Sequence, residues 1–216
     1  MKASGTTSSP AGARERLIEA AGVVFGELGF HGATVREITR QAGVNLAAIN
    51  YYFRDKEELY WSVLQHAVQC ALKDDQDLSE DAAPEERLES YIDRLLRNML
   101  DPKRPDWHGK LIAREMGAPT RMLDILVESS IRPRNEKLRQ ILRELAGIPM
   151  SPEQESLICA SIMAQCLYYR QNRPVVERLY PDLLKGRDTI SQLTRHITDF
   201  SLAAIKGLTS ATFSTI

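Results

Sequence analysis

Apolar residues recur at intervals of three and four along most of the chain, and no stretch alternates convincingly with the period of two that a half-buried strand needs. From Arg14 to Leu28, the residues Leu17, Ile18, Ala21, Val24, Phe25 and Leu28 fall on one helical face, and Gly29 and Gly32 mark the exit. Thr34 and Glu37 have the spacing of a capping box, in which the hydroxyl accepts from a first-turn amide and the carboxylate reaches back. They open a short helix that turns Ile38 and Ala42 inward and breaks at Gly43. Asn45 is placed to cap a second short helix, Leu46 to Tyr52, with Ile49 and Phe53 inward. Asp55 and Glu58 form another cap pair at the start of a long helix from Lys56 to Lys73.

Five more helical segments follow. Glu85 to Leu100 stops before Pro102 and Pro105, and Trp107 to Met116 stops before Gly117 and Pro119. Thr120 to Ala146 ends at Gly147 and contains Pro133, which predicts a kink or a split. Ser151-Pro152-Glu153-Gln154 is a capping box with proline in the first turn; it opens an apolar helix through Tyr169, closed by Asn172-Arg173-Pro174. The last helix runs from Thr189 to Ile205. The pattern predicts an all-α protein: a three-helix helix-turn-helix head over 14–55, a linking helix over 56–73, and a larger helical bundle over 85–210 for regulation and dimerisation.

Composition narrows the class. Residues 1–13 are rich in Ser, Thr, Gly and Ala, carry few charges and lack the apolar core of a secretory signal, so they are expected to form a disordered arm of a cytoplasmic protein. Apolar runs are too often interrupted by charge to cross a membrane. Three cysteines, Cys70, Cys159 and Cys166, are too few for a disulfide framework. The net charge of −1 argues against a protein that coats nucleic acid indiscriminately. Its distribution is uneven: residues 1–56 net +2, residues 57–88 net −7, and the remainder +4. A small DNA-binding head beside a body that does not touch DNA has this profile, and so does a solvated acidic linker.

The segment Thr34 to Phe53 carries the most specific chemistry. Two short capped helices joined by a tight turn at Gly43, behind a helix with a buried stripe, form the arrangement in which the last helix enters a major groove. Ile49 and Phe53 anchor that helix, while Leu46, Ala47, Ala48, Asn50 and Tyr51 face outward. Small residues permit close approach to base edges. Asn50 can pair with adenine, and Leu46 or the alanines can touch a thymine methyl. This face has no Arg or Lys, so its flanks must help: Arg36 for a base or phosphate, and Thr34, Tyr51 and Lys56 for phosphates.

Residues 14–60 resemble the TetR family of repressors. The resemblance rests on Ala33-Thr34-Val35-Arg36-Glu37-Ile38-Thr39-Arg40-Gln41-Ala42-Gly43-Val44 and on Asn50-Tyr51-Tyr52-Phe53-Arg54-Asp55-Lys56-Glu57-Glu58-Leu59. It implies an all-helical homodimer whose first three helices bind double-stranded operator DNA and whose fourth leads to a ligand-binding body. It also implies DNA roles for Thr34, Arg36, Leu46, Ala47, Ala48, Asn50, Tyr51 and Lys56. Asn45 and Asn50 depart from the family pattern, which often has Ser or Thr at the first position and an aromatic at the second. The C-terminal half is similar to the CecR-type subgroup through Arg114-Glu115-Met116…Pro119, Ile131-Arg132-Pro133 and Tyr169…Arg173-Pro174…Arg178-Leu179-Tyr180. That similarity implies a repressor responsive to a small molecule that the sequence does not name.

The body offers Trp107, Met116, Met122, Leu126, Met163, Cys166 and Tyr169 as candidate lining for an effector pocket, and equally as ordinary core. Arg114 and Glu115 read either as a buried pair that orients a ligand or as a surface pair, and the surface reading is preferred. The four histidines, His31, His66, His108 and His196, sit on separate elements with no pair at metal spacing, and neither HExxH nor CxxC occurs; no metal and no cofactor are expected. Cys159 and Cys166 share a helical face and read as packing residues. No catalytic motif stands out, so an enzyme is not expected. The last two helices carry broad, mainly apolar faces with more than one stripe each, Leu157, Ile158, Ile162, Gln165, Leu167 and Tyr168 on one and Ile190, Leu193, Ile197, Phe200, Ala204 and Ile205 on the other. Such helices need a further partner surface, and the resemblance makes that partner a second copy. The competing reading is a helical ligand-binding or scaffold protein without DNA binding, favoured by the uncharged outward face at 46–51.

Overall fold

A computed structural model describes residues 10–72, 81–186 and 188–212, and every regular element among them is helical. In chain order these are α1 (Pro10–Gly32), α2 (Val35–Ala42), α3 (Ala47–Tyr52), α4 (Lys56–Leu72), α5 (Pro84–Leu100), α6 (Asp106–Gly117), α7 (Met122–Leu126), α8 (Arg132–Ala146), α9 (Pro152–Gln171), α10 (Arg173–Leu179) and α11 (Thr189–Thr212). The arm expected over 1–13 falls mainly outside the described residues, and α1 already begins at Pro10. Of the acidic residues in the 57–88 segment, Asp74, Asp75, Asp77 and Glu80 also lie outside them.

The chain divides into two compact units, residues 1–73 with 104–127 and residues 74–103 with 128–216. This differs from the division that the sequence pattern predicts, in which everything after residue 85 belongs to the body. Helices α6 and α7 belong to the first unit because their apolar residues complete its core. Trp107, Leu111 and Met122 share one buried cluster with Leu17, Phe25, Ile38, Ile49, Phe53 and Tyr60. Glycine makes the approach of α6 possible: a Cβ at Gly22 would lie 2.4 Å from the Trp107 ring. The indole N–H of Trp107 donates to Glu19 Oε2 at 2.9 Å, so its polar edge is satisfied as its ring is buried.

α1 kinks at Gly29, whose φ of 73° is in the range that favours glycine. The guanidinium of Arg114 from α6 donates to the carbonyls of Gly26 (3.2 Å) and Glu27 (2.6 Å), just before this kink. Leu28, expected on the buried face, is 52% exposed and directly precedes the kink at Gly29.

The second unit contains α5 and α8 to α11. Its core interleaves Leu88, Ile92 and Leu96 of α5 with Leu138, Ile141 and Leu142 of α8, Cys159, Ile162 and Cys166 of α9, and Leu193, Ile197 and Ile205 of α11. The capping box at α9 is complete: the Gln154 amide donates to Ser151 Oγ (3.2 Å) and the Ser151 amide to Gln154 Oε1 (3.0 Å). The expected helix from 120 to 146 is split by a wider π-helical turn, Val127–Ile131, after which Pro133 sits in the first turn of α8. The sequence pattern does not anticipate α10: Pro174, expected as a stop signal, instead occupies its first turn.

Candidate nucleic-acid interface

The interface is built from local interactions in α2, α3 and the turns beside them. Thr34 Oγ1 accepts from the Glu37 amide at 3.2 Å and caps α2. The reciprocal half of the expected box is not made with Glu37's side chain, which pairs instead with Arg40 and is held below its ordinary pKa by that hydrogen bond. Gly43 takes a left-handed conformation, φ 63° and ψ 39°. Its amide bonds to Arg40 O (3.3 Å) and the Val44 amide to Thr39 O (3.1 Å), which ends α2 and turns the chain. Asn45 Oδ1 then accepts from the Ala47 amide at 3.0 Å and opens α3.

α3 has two distinct faces. Ile49 and Phe53 are buried in the core of the first unit, and the Phe53 amide closes the helix on Ile49 O at 2.7 Å. Leu46, Ala47, Asn50 and Tyr51 are exposed, and Tyr51 is open over 78% of its surface. Ala48 is half-buried against the core, so it lies at the edge of this face rather than within it. The rings of Tyr51 and Tyr52 meet edge to face at 4.7 Å, which restrains Tyr51 without covering it.

The flanks are arranged as follows. Thr34 and Arg36 are exposed at the start of α2. Lys56, expected to bind a phosphate, is half-buried at the start of α4 with its ammonium 4.7 Å above the Phe30 ring. Burial lowers its pKa. Asp55 Oδ1 accepts from the Glu58 amide (2.9 Å), and the Arg54 amide donates to Glu58 Oε2 (3.3 Å), so α4 starts from a doubly bonded cap. Two exposed basic residues that the sequence pattern does not single out lie close to the anchor Phe53. Arg14 places its guanidinium 5.3 Å from the Phe53 ring centroid, and exposed Arg54 lies between α3 and α4. Phe53, an anchor in the pattern, is the signal that could have led to Arg14.

The candidate pocket residues fall into both units. In the first, Trp107 and Met122 are core, Leu126 is buried, and Met116 is exposed. In the second, Cys166 and Tyr169 belong to the core cluster, and Met163 is half-buried with its sulfur 4.0 Å from the Tyr91 hydroxyl. Burial raises the Cys166 thiol to about 12, which fits an inert packing role. Glu115 is not on the surface. It is fully buried, accepting from the Tyr60 hydroxyl on one oxygen (2.6 Å) and from the Thr120 amide and hydroxyl on the other (both 2.8 Å).

A short helix anchored by two apolar residues, capped at its start and presenting small and polar side chains outward, has the form of the reading element in a helix-turn-helix DNA-binding regulator. Comparison with known proteins makes the class specific. Residues 17–63 match the family described as bacterial regulatory proteins, tetR family, and residues 84–205 match the C-terminal domain of the HTH-type transcriptional dual regulator CecR. The chain is 30% identical over 179 residues to CecR of Shigella flexneri, covering 76% of this chain and 78% of that one. It is 26% identical over 209 residues to the regulator RutR of Escherichia coli strain K12, covering 95% and 97%. Among solved structures, HlyIIR, a hemolysin II transcriptional regulator, is similar with a TM-score of 0.60 at 22% identity, over 88% of this chain and 99% of that one. AibR, crystallised with isovaleryl coenzyme A and operator DNA, gives 0.63 at 17% identity, over 87% and 97%. The chain belongs to the TetR family, with a CecR-type C-terminal domain, and is a DNA-binding transcriptional regulator.

Proposed function

We propose that the chain represses transcription as a homodimer on a palindromic operator and releases it when a small molecule binds the helical body. The outward face of α3 carries this reading: Leu46, Ala47, Asn50 and Tyr51 are exposed while Ile49 and Phe53 hold the helix from behind. Thr34, Arg36, Arg54, Arg14 and Lys56 supply the flanking phosphate contacts, and Ala48 contacts DNA at the rim of the face. Two such helices about one turn of DNA apart, ~34 Å, would read two half-sites.

The dimer forms through α9 and α11. Both helices bury one stripe in their own core and keep another exposed, with Leu157 and Tyr168 on α9 and Phe200 and Leu208 on α11. Release is a population shift, so the effector must bind the operator-incompetent spacing more tightly than the competent one. Within the first unit, α6 rests on α1 and α4 through Trp107, Arg114 and Glu115, so a displacement of α6 would reach the DNA-binding helices directly. AibR, a similar fold, was crystallised with both an acyl-coenzyme A and operator DNA. We place the chain in the cytoplasm with its DNA; no described helix is long and apolar enough to cross a membrane.

Footprinting of the purified full chain on the promoter of its own gene tests the proposal. Two symmetric protected half-sites are expected. Absence of any sequence-specific protection would favour the reading as a helical ligand-binding or scaffold protein, which rests on the absence of Lys and Arg from the α3 face.

A further inference from the structure

His66 and Cys70 stand one helical turn apart on α4, and His108 of α6 faces them. One ligand atom from each lies within 4.8 Å of the others. Histidines and cysteines taken separately show no metal spacing along the chain, but His66 and Cys70 form a mixed His-x3-Cys pair. Such a pair places both side chains on one face of a helix, and the third member arrives only through the packing of α6 against α4.

His108 is the independent sign that this is more than a chance grouping. The residue is only 8% exposed, yet neither ring nitrogen has a hydrogen-bond partner in the protein. A buried polar group without a partner costs of the order of 1–3 kcal/mol, and two on one ring are uncommon. Both nitrogens are therefore free of competing bonds within the protein. Around the ring the pieces are already close. Cys70 Sγ is 3.4 Å from His66 Nε2, and Glu19 Oε1 of α1 is 3.7 Å from the same nitrogen. Tetrahedral zinc, with bonds of about 2.0–2.1 Å to nitrogen and 2.3 Å to sulfur, sets its donor atoms about 3.4–3.6 Å apart. Trp107 walls the site, its ring 4.1 Å from that of His108. Arg104 fixes the α4 end by donating to the Cys70 carbonyl at 2.9 Å.

We propose that His66, Cys70 and His108 bind a divalent transition-metal ion of the zinc class, with the Glu19 carboxylate in the fourth position. Two imidazoles, a thiolate and a carboxylate form a borderline donor set, suited to zinc rather than to calcium or magnesium. Binding displaces the Cys70 thiol proton to solvent, and the resulting thiolate offsets one charge of the ion. The ion would join α1, α4 and α6, three helices of the first unit that lie outside the α2–α3 turn.

The test uses the reduced, chelator-stripped full chain, titrated with Co2+ and then with Zn2+. Expected are one cobalt per chain, a near-ultraviolet thiolate-to-cobalt absorption, its loss on adding equimolar zinc, and a higher thermal midpoint with zinc. Cys70→Ser, at a half-buried position, should keep the native circular dichroism and lose the absorption; His108→Gln should weaken cobalt binding at least about tenfold. A folded wild-type chain that gives no such absorption overturns the site. So does an absorption that survives Cys70→Ser, which would assign the thiolate to Cys159 or Cys166. None of these readouts involves DNA, so the outcome is independent of operator binding.

Discussion

The Tyr60 hydroxyl donates a 2.6 Å hydrogen bond to the Glu115 carboxylate in the buried interior of the first unit, joining α4 to α6. Burial and the adjacent carboxylate together push the Tyr60 pKa upward, so the phenol keeps its proton and remains the donor. Tyr60→Phe removes the donor and leaves a buried carboxylate oxygen without its partner. The expected loss is about 1–3 kcal/mol, read as a lower urea midpoint with an unchanged slope. A midpoint equal to wild type would mean that Glu115 finds another donor.

Gly22 and Gly26 both lie on the side of α1 that meets α6, but they differ in room. A Cβ at Gly22 would run into the Trp107 ring, whereas one at Gly26 would meet Lys110 Cβ at 3.5 Å, an ordinary van der Waals separation. Gly22→Ala should therefore destabilise by about 1–3 kcal/mol through overpacking. Gly26→Ala should be neutral or stabilising by up to about 1 kcal/mol, because alanine favours a helix interior. Thermal melts of the two variants side by side check the contrast.

On DNA, Arg36→Ala and Arg54→Ala should each weaken binding on every sequence and lower the salt slope by about 0.9 for each phosphate that the variant no longer neutralises. Asn50→Ala should act differently, changing preference at one operator position by about 1–3 kcal/mol. Fluorescence anisotropy over a salt series and a panel of single-base operator variants separates the two behaviours. A uniform weakening with Asn50→Ala removes it from base reading.

Phe200→Glu places a charge on the exposed stripe of α11, where the side chain is 58% open to solvent in the single chain. It should leave the fold of one chain within about 0.5 kcal/mol of wild type, as surface changes do. In a dimer built on that stripe it should shift the population to monomer. Sedimentation velocity at several concentrations distinguishes this from an unaltered assembly.

Glu155 is held by Arg143 (2.8 Å) and Arg139 (3.1 Å) from α8, and hydrogen bonding to Arg143 lowers its pKa below the ordinary 4.5. A lowered native pKa means that the folded state favours the ionised carboxylate. The contribution is therefore full above pH 4.5 and is lost as pH falls through the lower native value. Glu155→Gln should reduce stability at neutral pH and flatten the acid limb of the stability curve. An acid limb identical to wild type would show that other carboxylates govern it.

The candidate interface is legible in the sequence because its determinants are local. Thr34 caps the helix that follows it, Gly43 takes the conformation that glycine tolerates, and Asn45 bonds an amide two residues on. Lys56 is legible only as a charge. That its ammonium rests on Phe30 depends on how α1 and α4 cross, which no nearby residue encodes.

The sequence by itself determined that the regular elements among the described residues are helical and that Leu46, Ala47, Asn50 and Tyr51 share the presented face of one short helix, since periodicity and caps act over one or two turns. Only the tertiary structure decided that α6 joins the first unit, that Glu115 is interior, and that His66, Cys70 and His108 meet. Those outcomes rest on pairs distant along the chain, with Tyr60 and Glu115 separated by 55 positions and Glu19 and Trp107 by 88. Their geometry is set by which helices pack together, so it is specified by the whole core and by no single segment.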